Sequence, residues 1–217
     1  MDWRADALTE RQIYRLLVNT VLPRPIALVS TRSAEGVVNT APFSFFNVMG
    51  SEPPIVALGL EGDANAADGL KDTTRNILAT REFVVNLVDK ALAEAMSVCG
   101  VSFPSDQPEH VHAGLDTVPS LQVAAPRIAR SPVQFECRLH TTLAIGPQRH
   151  VVIGEIVHLH CRDDILTDRG HIDIDALDPI GRIHGTDWYL DMKSRFQSTK
   201  YTLDAWTARP KEKEPLP

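Results

Sequence analysis

Cysteine is scarce in this chain, with Cys99, Cys137 and Cys161 the only three among 217 residues. They lie far apart, their number is odd and no CxxC occurs. Neither a disulfide framework nor a cysteine zinc site is encoded, and the thiols fit a reducing compartment. No stretch approaches the ~18 apolar residues that span a bilayer, so no membrane segment is expected. The start, Met-Asp-Trp-Arg-Ala-Asp, lacks the cationic and apolar regions of a secretory signal, which makes the cytoplasm the expected compartment. No long basic stripe appears and the net charge is −6, so nucleic acid is not an expected partner. Familiar catalytic signatures are missing too. No GxGxxG opens a helix after a strand, and there is no GxxxxGK[ST], GxSxG or HExxH. A dinucleotide-binding Rossmann site and a serine hydrolase therefore have no local support.

What remains is an ordinary globular composition, 43% hydrophobic and 23% charged, enough for a sizeable core without disulfides. Residues 7–19 read as a helix with Thr9 as a candidate N-cap and Ile13, Leu16 and Leu17 on one face. Pro23 and Pro25 end it. Residues 26–31 and 37–41 form a hairpin across the turn at 33–36. Ser51-Glu52-Pro53-Pro54 breaks the chain before a strand over 55–60, and 61–70 is a Gly/Asp/Ala-rich loop. Asp72 or Thr73 caps a short helix through Ala79. A strand over 83–88 and a helical stretch over 89–99 follow. Residues 100–120 are mostly loop with a short helix near 109–113. Strands resume at 127–128, 132–143 and 151–161, where Val133, Phe135, Cys137 and Leu139 alternate with polar residues. A short helix at 174–177 and a Gly-rich segment at 181–185 close the pattern. Many short strands linked as hairpins favour a closed antiparallel barrel with flanking helices. One domain over 1–206 is expected, followed by a charged, Pro-rich tail over 207–217.

Two segments carry chemistry. Asn39-Thr40-Ala41-Pro42-Phe43-Ser44-Phe45-Phe46-Asn47 mixes small hydrogen-bonding side chains with aromatics, as a flavin ring wall requires; it also reads as a loop over a buried Phe cluster. Lys71-Asp72-Thr73-Thr74-Arg75-Asn76 puts a cation, hydroxyls and helix N-terminal amides in one turn, the parts of a phosphate cradle. Simple helix capping explains the same residues. His158 with His160, and His110 with His112, share spacing on one element, but no carboxylate or cysteine completes a metal-ligand pattern, so no metal site is expected.

The order and spacing of several motifs resemble the flavin reductase-like, FMN-binding split-barrel family. They are the opening from Asn19 through Pro23-Arg24-Pro25 to Ser30-Thr31, then Ala41-Pro42-Phe43-Ser44-Phe45-Phe46-Asn47 and Lys71-Asp72-Thr73-Thr74-Arg75-Asn76-Ile77. Glu82-Phe83-Val84-Val85-Asn86-Leu87, Val152-Ile153-Gly154-Glu155 and Pro179-Ile180-Gly181-Arg182-Ile183-His184-Gly185 follow. The resemblance covers about residues 17–190. It implies a mainly β, six-stranded antiparallel split barrel with flanking helices, dimeric, with FMN near the interface between two copies. By position, Ala41, Pro42, Phe43 and Ser44 would run along the flavin ring with Asn47 close by. Ser30, Thr31, Lys71, Asp72, Thr73 and Asn76 would surround the phosphate and ribityl chain. His184 and Tyr189 would approach the flavin, from the second subunit. The implied activity is hydride transfer from NADH or NADPH to flavin N5, with a monooxygenase, another carrier or free flavin as acceptor. No catalytic acid or base is needed for that step. The alternative is an FMN electron carrier without a nicotinamide site of its own.

Overall fold

The computed structural model describes residues 1–146, 149–185 and 187–208; most of the tail, 209–217, lies outside them. Helix α1 (Glu10–Thr20) starts in a capping box: the Thr9 hydroxyl accepts from the Gln12 amide, and the Gln12 side chain accepts from the Thr9 amide at 2.9 Å. The hairpin β1 (Ala27–Arg32) and β2 (Val38–Phe43) follows, then β3 (Phe46–Ser51) and β4 (Pro54–Glu61). Next come α2 (Asp72–Thr80), β5 (Glu82–Leu87), α3 (Ala93–Val98) and α4 (Glu109–His112). Short strands β6 (Thr117–Val118) and β7 (Arg127–Ile128) pair with each other ahead of the long hairpin β8 (Val133–Ile145) and β9 (Arg149–Cys161). Helix α5 (Ile174–Leu177), the hairpin β10 (Ile180–Ile183) and β11 (Trp188–Asp191), and α6 (Leu203–Thr207) complete the order.

The large sheet runs β2-β1-β5-β8-β9-β4-β3, antiparallel throughout. Strands β2 and β3 stand at its opposite edges, yet only Ser44 and Phe45 join them. Two residues reach about 7 Å, so the sheet must curl until its edges meet. At the connection, the Gly59 amide of β4 extends the β3–β4 ladder by one step, donating to the Phe45 carbonyl at 2.7 Å. Counted as one bent strand, β2 and β3 give the six strands of a split barrel.

The barrel interior holds Val29, Val56, Leu58, Phe83, Val85, Cys137 and Val152. A second core lies outside, where Ile26, Leu28 and Val88 pack against Leu92, Met96, Leu115 and Ile128. Strands buried on both faces read as continuous apolar runs rather than alternations, which is why 26–29 and 83–85 look as they do. Three local expectations change. Lys71, not Asp72 or Thr73, stands at the N-cap of α2, and no side chain caps it. Residues 46–51 are a strand, and the Gly-rich segment at 181–185 begins inside β10.

Candidate functional site

Three remote segments meet at the outer edge of β2: Asn39, Ala41, Pro42 and Phe43 of β2 itself, the turn 70–73 entering α2, and the loop 99–105 with Glu109 of α4. They line a cleft of about 330 Å³. Pro42 has no amide to offer a neighbouring strand, so the edge stays open there. The loop comes close at Gly100, where a Cβ would sit in ordinary contact with Pro42 Cγ at 3.5 Å and more tightly against the Ser97 carbonyl at 3.2 Å.

The floor is the start of α2. Lys71 has extended backbone angles and makes no side-chain cap, so the first amides of the helix have no partner from a capping side chain. They carry the positive end of the helix dipole, about half a charge. The Lys71 side chain is exposed and has no hydrogen-bond or ion-pair partner among the described residues. Arg75 is different. Asp68 holds it at 2.8 Å and Asp72 binds it from the other side, while Arg75 and the Leu70 amide keep the Asp68 carboxyl well below the usual carboxylate range.

Two side-chain bonds fix α2 against the hairpin. Thr73 Oγ1 lies 2.8 Å from the Asn39 carboxamide, and Asn76 Nδ2 donates to Thr31 Oγ1 at 3.0 Å. Oriented to satisfy all its neighbours, the Asn39 carboxamide accepts from Thr73 Oγ1 and the Thr40 amide and donates to Glu109 Oε1 at 3.1 Å. Glu109 Oε2 accepts from the Thr40 amide at 2.8 Å, so α4 is tied to the β2 edge. Burial pushes the Glu109 carboxyl up, and the Thr40 amide only partly offsets it. Stacked rings of Phe103 and His112, 4.1 Å apart, brace the loop on the same helix. Burial pushes the Cys99 thiol up to about 12, with the Glu109 charge adding to it, so it stays protonated and is no nucleophile.

Of the residues expected at a flavin, Ala41, Pro42, Phe43, Lys71, Asp72 and Thr73 line this cleft. Pro42, Phe43, Ser44 and Lys71 also line an adjoining groove with Tyr14 and Gly59. Thr31 and Asn76 hold α2 rather than face the cleft. Ser30 points away, because neighbouring residues of a strand face opposite sides; its hydroxyl donates to the Pro126 carbonyl and accepts from Asn86 Nδ2 at 3.1 Å. Asn47 is exposed and lines an apolar groove of about 430 Å³ with Leu17, Val21 and Met49. His184 Nδ1 lies 3.2 Å from Asn19 Oδ1, and the Tyr189 hydroxyl accepts from Arg182. Neither lines the cleft within one chain. Buried Arg24 links these parts, donating to the carbonyls of Val18 and His184 and to Ser44 Oγ. Glu109 and the loop 99–105 escaped sequence reasoning. Their signal, an acid after Pro108 and a Gly-Ser-Pro stretch, is that of any loop entering a helix.

The remaining histidine pair serves structure. His160 Nε2 lies 2.6 Å from Glu136 Oε1, and the His158 and His160 rings are 4.6 Å apart. No group of three metal-ligating side chains occurs among the described residues.

A curled antiparallel barrel with an uncapped helix start facing a proline-marked edge strand defines a class, and known proteins place the chain within it. Residues 19–177 match the flavin reductase like domain, and the chain belongs to that family. An uncharacterized protein of Halalkalibacterium halodurans is 41% identical over 194 residues, covering 87% of this chain and 91% of the relative. The crystal structure of Pseudomonas fluorescens 2-nitrobenzoate 2-nitroreductase is 35% identical, covers 94% of this chain and 98% of its own, and superposes with a TM-score of 0.84. Nitrilotriacetate monooxygenase component B from Bacillus cereus is 28% identical, with 91% and 98% coverage and a TM-score of 0.85.

Proposed function

We propose that this chain is an NAD(P)H-dependent flavin reductase that binds FMN in the cleft at the β2 edge. The observation that carries the reading is one juxtaposition: the uncapped start of α2 and the unpartnered Lys71 stand beside the Ala41-Pro42-Phe43 wall. An FMN phosphate, with nearly two negative charges, suits the first; an isoalloxazine ring suits the second. Thr73 adds a hydroxyl at the same place. Bound FMN would supply the redox chemistry, taking hydride at N5 from NADH or NADPH and passing electrons on. The chain's own part is to stack the ring on Pro42 and Phe43, to hold the phosphate at Lys71 and to keep water from one face with the loop 99–105. Ser44, which lines the adjoining groove with Pro42 and Phe43, would face the ring from the seam, and Asn47 would lie against a second copy.

The working unit is a homodimer in the cytoplasm. Leu17, Val21 and Met49 are 49%, 61% and 60% exposed and converge on one groove. A second copy seated there would carry His184 and Tyr189 toward the flavin. Similarity to a monooxygenase component supports a partner monooxygenase as acceptor. Similarity to a nitroreductase supports a second reading, in which a nitroaromatic bound over the flavin receives the electrons itself.

The test is an anaerobic absorption titration of the purified protein with FMN, then NADH and NADPH, beside Lys71→Ala. Flavin bands that bleach with a nicotinamide, and weaker flavin retention in the variant, are expected. Bands that persist with both nicotinamides would indicate an FMN electron carrier, and no flavin uptake would remove the assignment.

A further inference from the structure

A second cleft, of about 390 Å³, lies beyond Asp72. It runs from the turn after β1, at Ser33 and Glu35, along Asn76 and Ala79 of α2. The two clefts share Asn39, Asp72, Arg75 and Ser105. A hydrogen bond spans the partition between them: Ser105 Oγ donates to Asp72 Oδ2 at 2.9 Å. The other Asp72 oxygen is engaged by Arg75, and Asp68 anchors Arg75 in turn. A carboxylate is thereby locked across the passage, and the loop 99–105 is tied to α2 at that point.

With the FMN phosphate at the start of α2, the partition stands where a dinucleotide would have to continue. FAD differs from FMN by a second phosphate and an adenosine. The second phosphate would meet the Asp72 carboxylate, a like-charge contact that disfavours it, and the adenosine would need the bridge open to reach the space beyond. We propose that the Ser105–Asp72 bridge is a specificity gate that confines the site to flavin mononucleotide, and that opening it admits the dinucleotide to the second cleft. This inference rests on the flavin reading of the first cleft and assigns the determinant of which flavin it takes.

Fluorescence titrations of FMN and FAD against the wild-type protein, Ser105→Ala and Asp72→Asn test it. The quantity read is the ratio of FAD to FMN dissociation constants within each protein. The wild type is expected to favour FMN. The ratio should fall about threefold in Ser105→Ala, which loses the hydrogen bond, and about tenfold in Asp72→Asn, which keeps an acceptor for Ser105 but loses the charge that repels the second phosphate. Ser105 is exposed, so its variant carries the test if Asp72→Asn does not fold. An unchanged ratio in the folded variants, or equal binding of both flavins by the wild type, overturns the gate. Binding of neither flavin by the wild type overturns the flavin site itself, and is distinguished by lost affinity rather than an altered ratio.

Discussion

At the scale of the residue, Glu109 is the side chain whose state matters most. Its folded pKa lies above 4.5, the ordinary glutamate value, because burial disfavours the charge. Below 4.5 the carboxyl is protonated whether the chain is folded or not. As pH rises through the folded pKa, the folded protein must ionise a half-buried group, and the stability gained from a neutral group there is lost. Glu109→Gln keeps an acceptor for the Thr40 amide without the charge. It is expected to melt with the wild type in acid and above it toward neutral pH, read from thermal unfolding across a pH series. A variant that melts lower at neutral pH would show that the charged form is needed to hold the β2 edge. At this scale the sequence shows contiguous groups well. Asn39 to Phe43 and Lys71 to Thr73 are local runs whose residue types carry their chemistry. Ser30 misleads because its hydroxyl is as suitable as that of Thr31, and only strand alternation sends it to the opposite face. Glu109 is invisible because its partners, Asn39 and Thr40, are some 70 positions away and only the fold brings them together.

At the scale of the element, β9 and β5 depend on a missing side chain. A Cβ on Gly154 would lie 2.3 Å from Phe83 Cζ, and Phe83 is fully buried in the barrel. The ring cannot swing aside into packed neighbours. Gly154→Ala is therefore expected to cost about 1–3 kcal/mol of stability in denaturant unfolding, the usual penalty for overpacking; a loss below about 0.5 kcal/mol would mean that the barrel gives way cheaply. Elements with a strong period or cap were legible: the Thr9 cap, the first hairpin and the long alternating β8–β9 pair. Strand β3 was not, because Phe46 alone of its six residues is buried and no alternation marks it. Nor was β10, whose partner β11 is a separate short hairpin arm with mixed exposure.

At the scale of the molecule, the unsatisfied surface is the apolar groove between α1 and β3. Leu17, Val21 and Met49, which line it, are each about half exposed or more, an unusual apolar cluster on one face. If the proposed dimer forms through this groove, Met49→Glu is expected to convert it to a monomer in light scattering and to weaken flavin binding with it. A variant that stays dimeric would move the interface elsewhere, and a monomeric wild type would remove the proposed dimer. A closed antiparallel barrel was legible in the run of short, hairpin-linked strands, but its split, six-stranded form only as a resemblance; no composition or spacing reveals that the two edge strands are joined by Ser44 and Phe45.

That neighbour relation has a thermodynamic consequence. Ser44 and Phe45 are at once the latch of the barrel and the end of the Pro42–Phe43 wall. A ligand lying along that wall would favour the latched form, and mass action would then make it a lock on the whole sheet. Amide exchange at Gly59, whose N–H holds the Phe45 carbonyl in the connection, would then slow as flavin is added and quicken as it leaves. Cofactor loading in this fold would be written into the protection of one backbone proton on β4, the strand beside the latch.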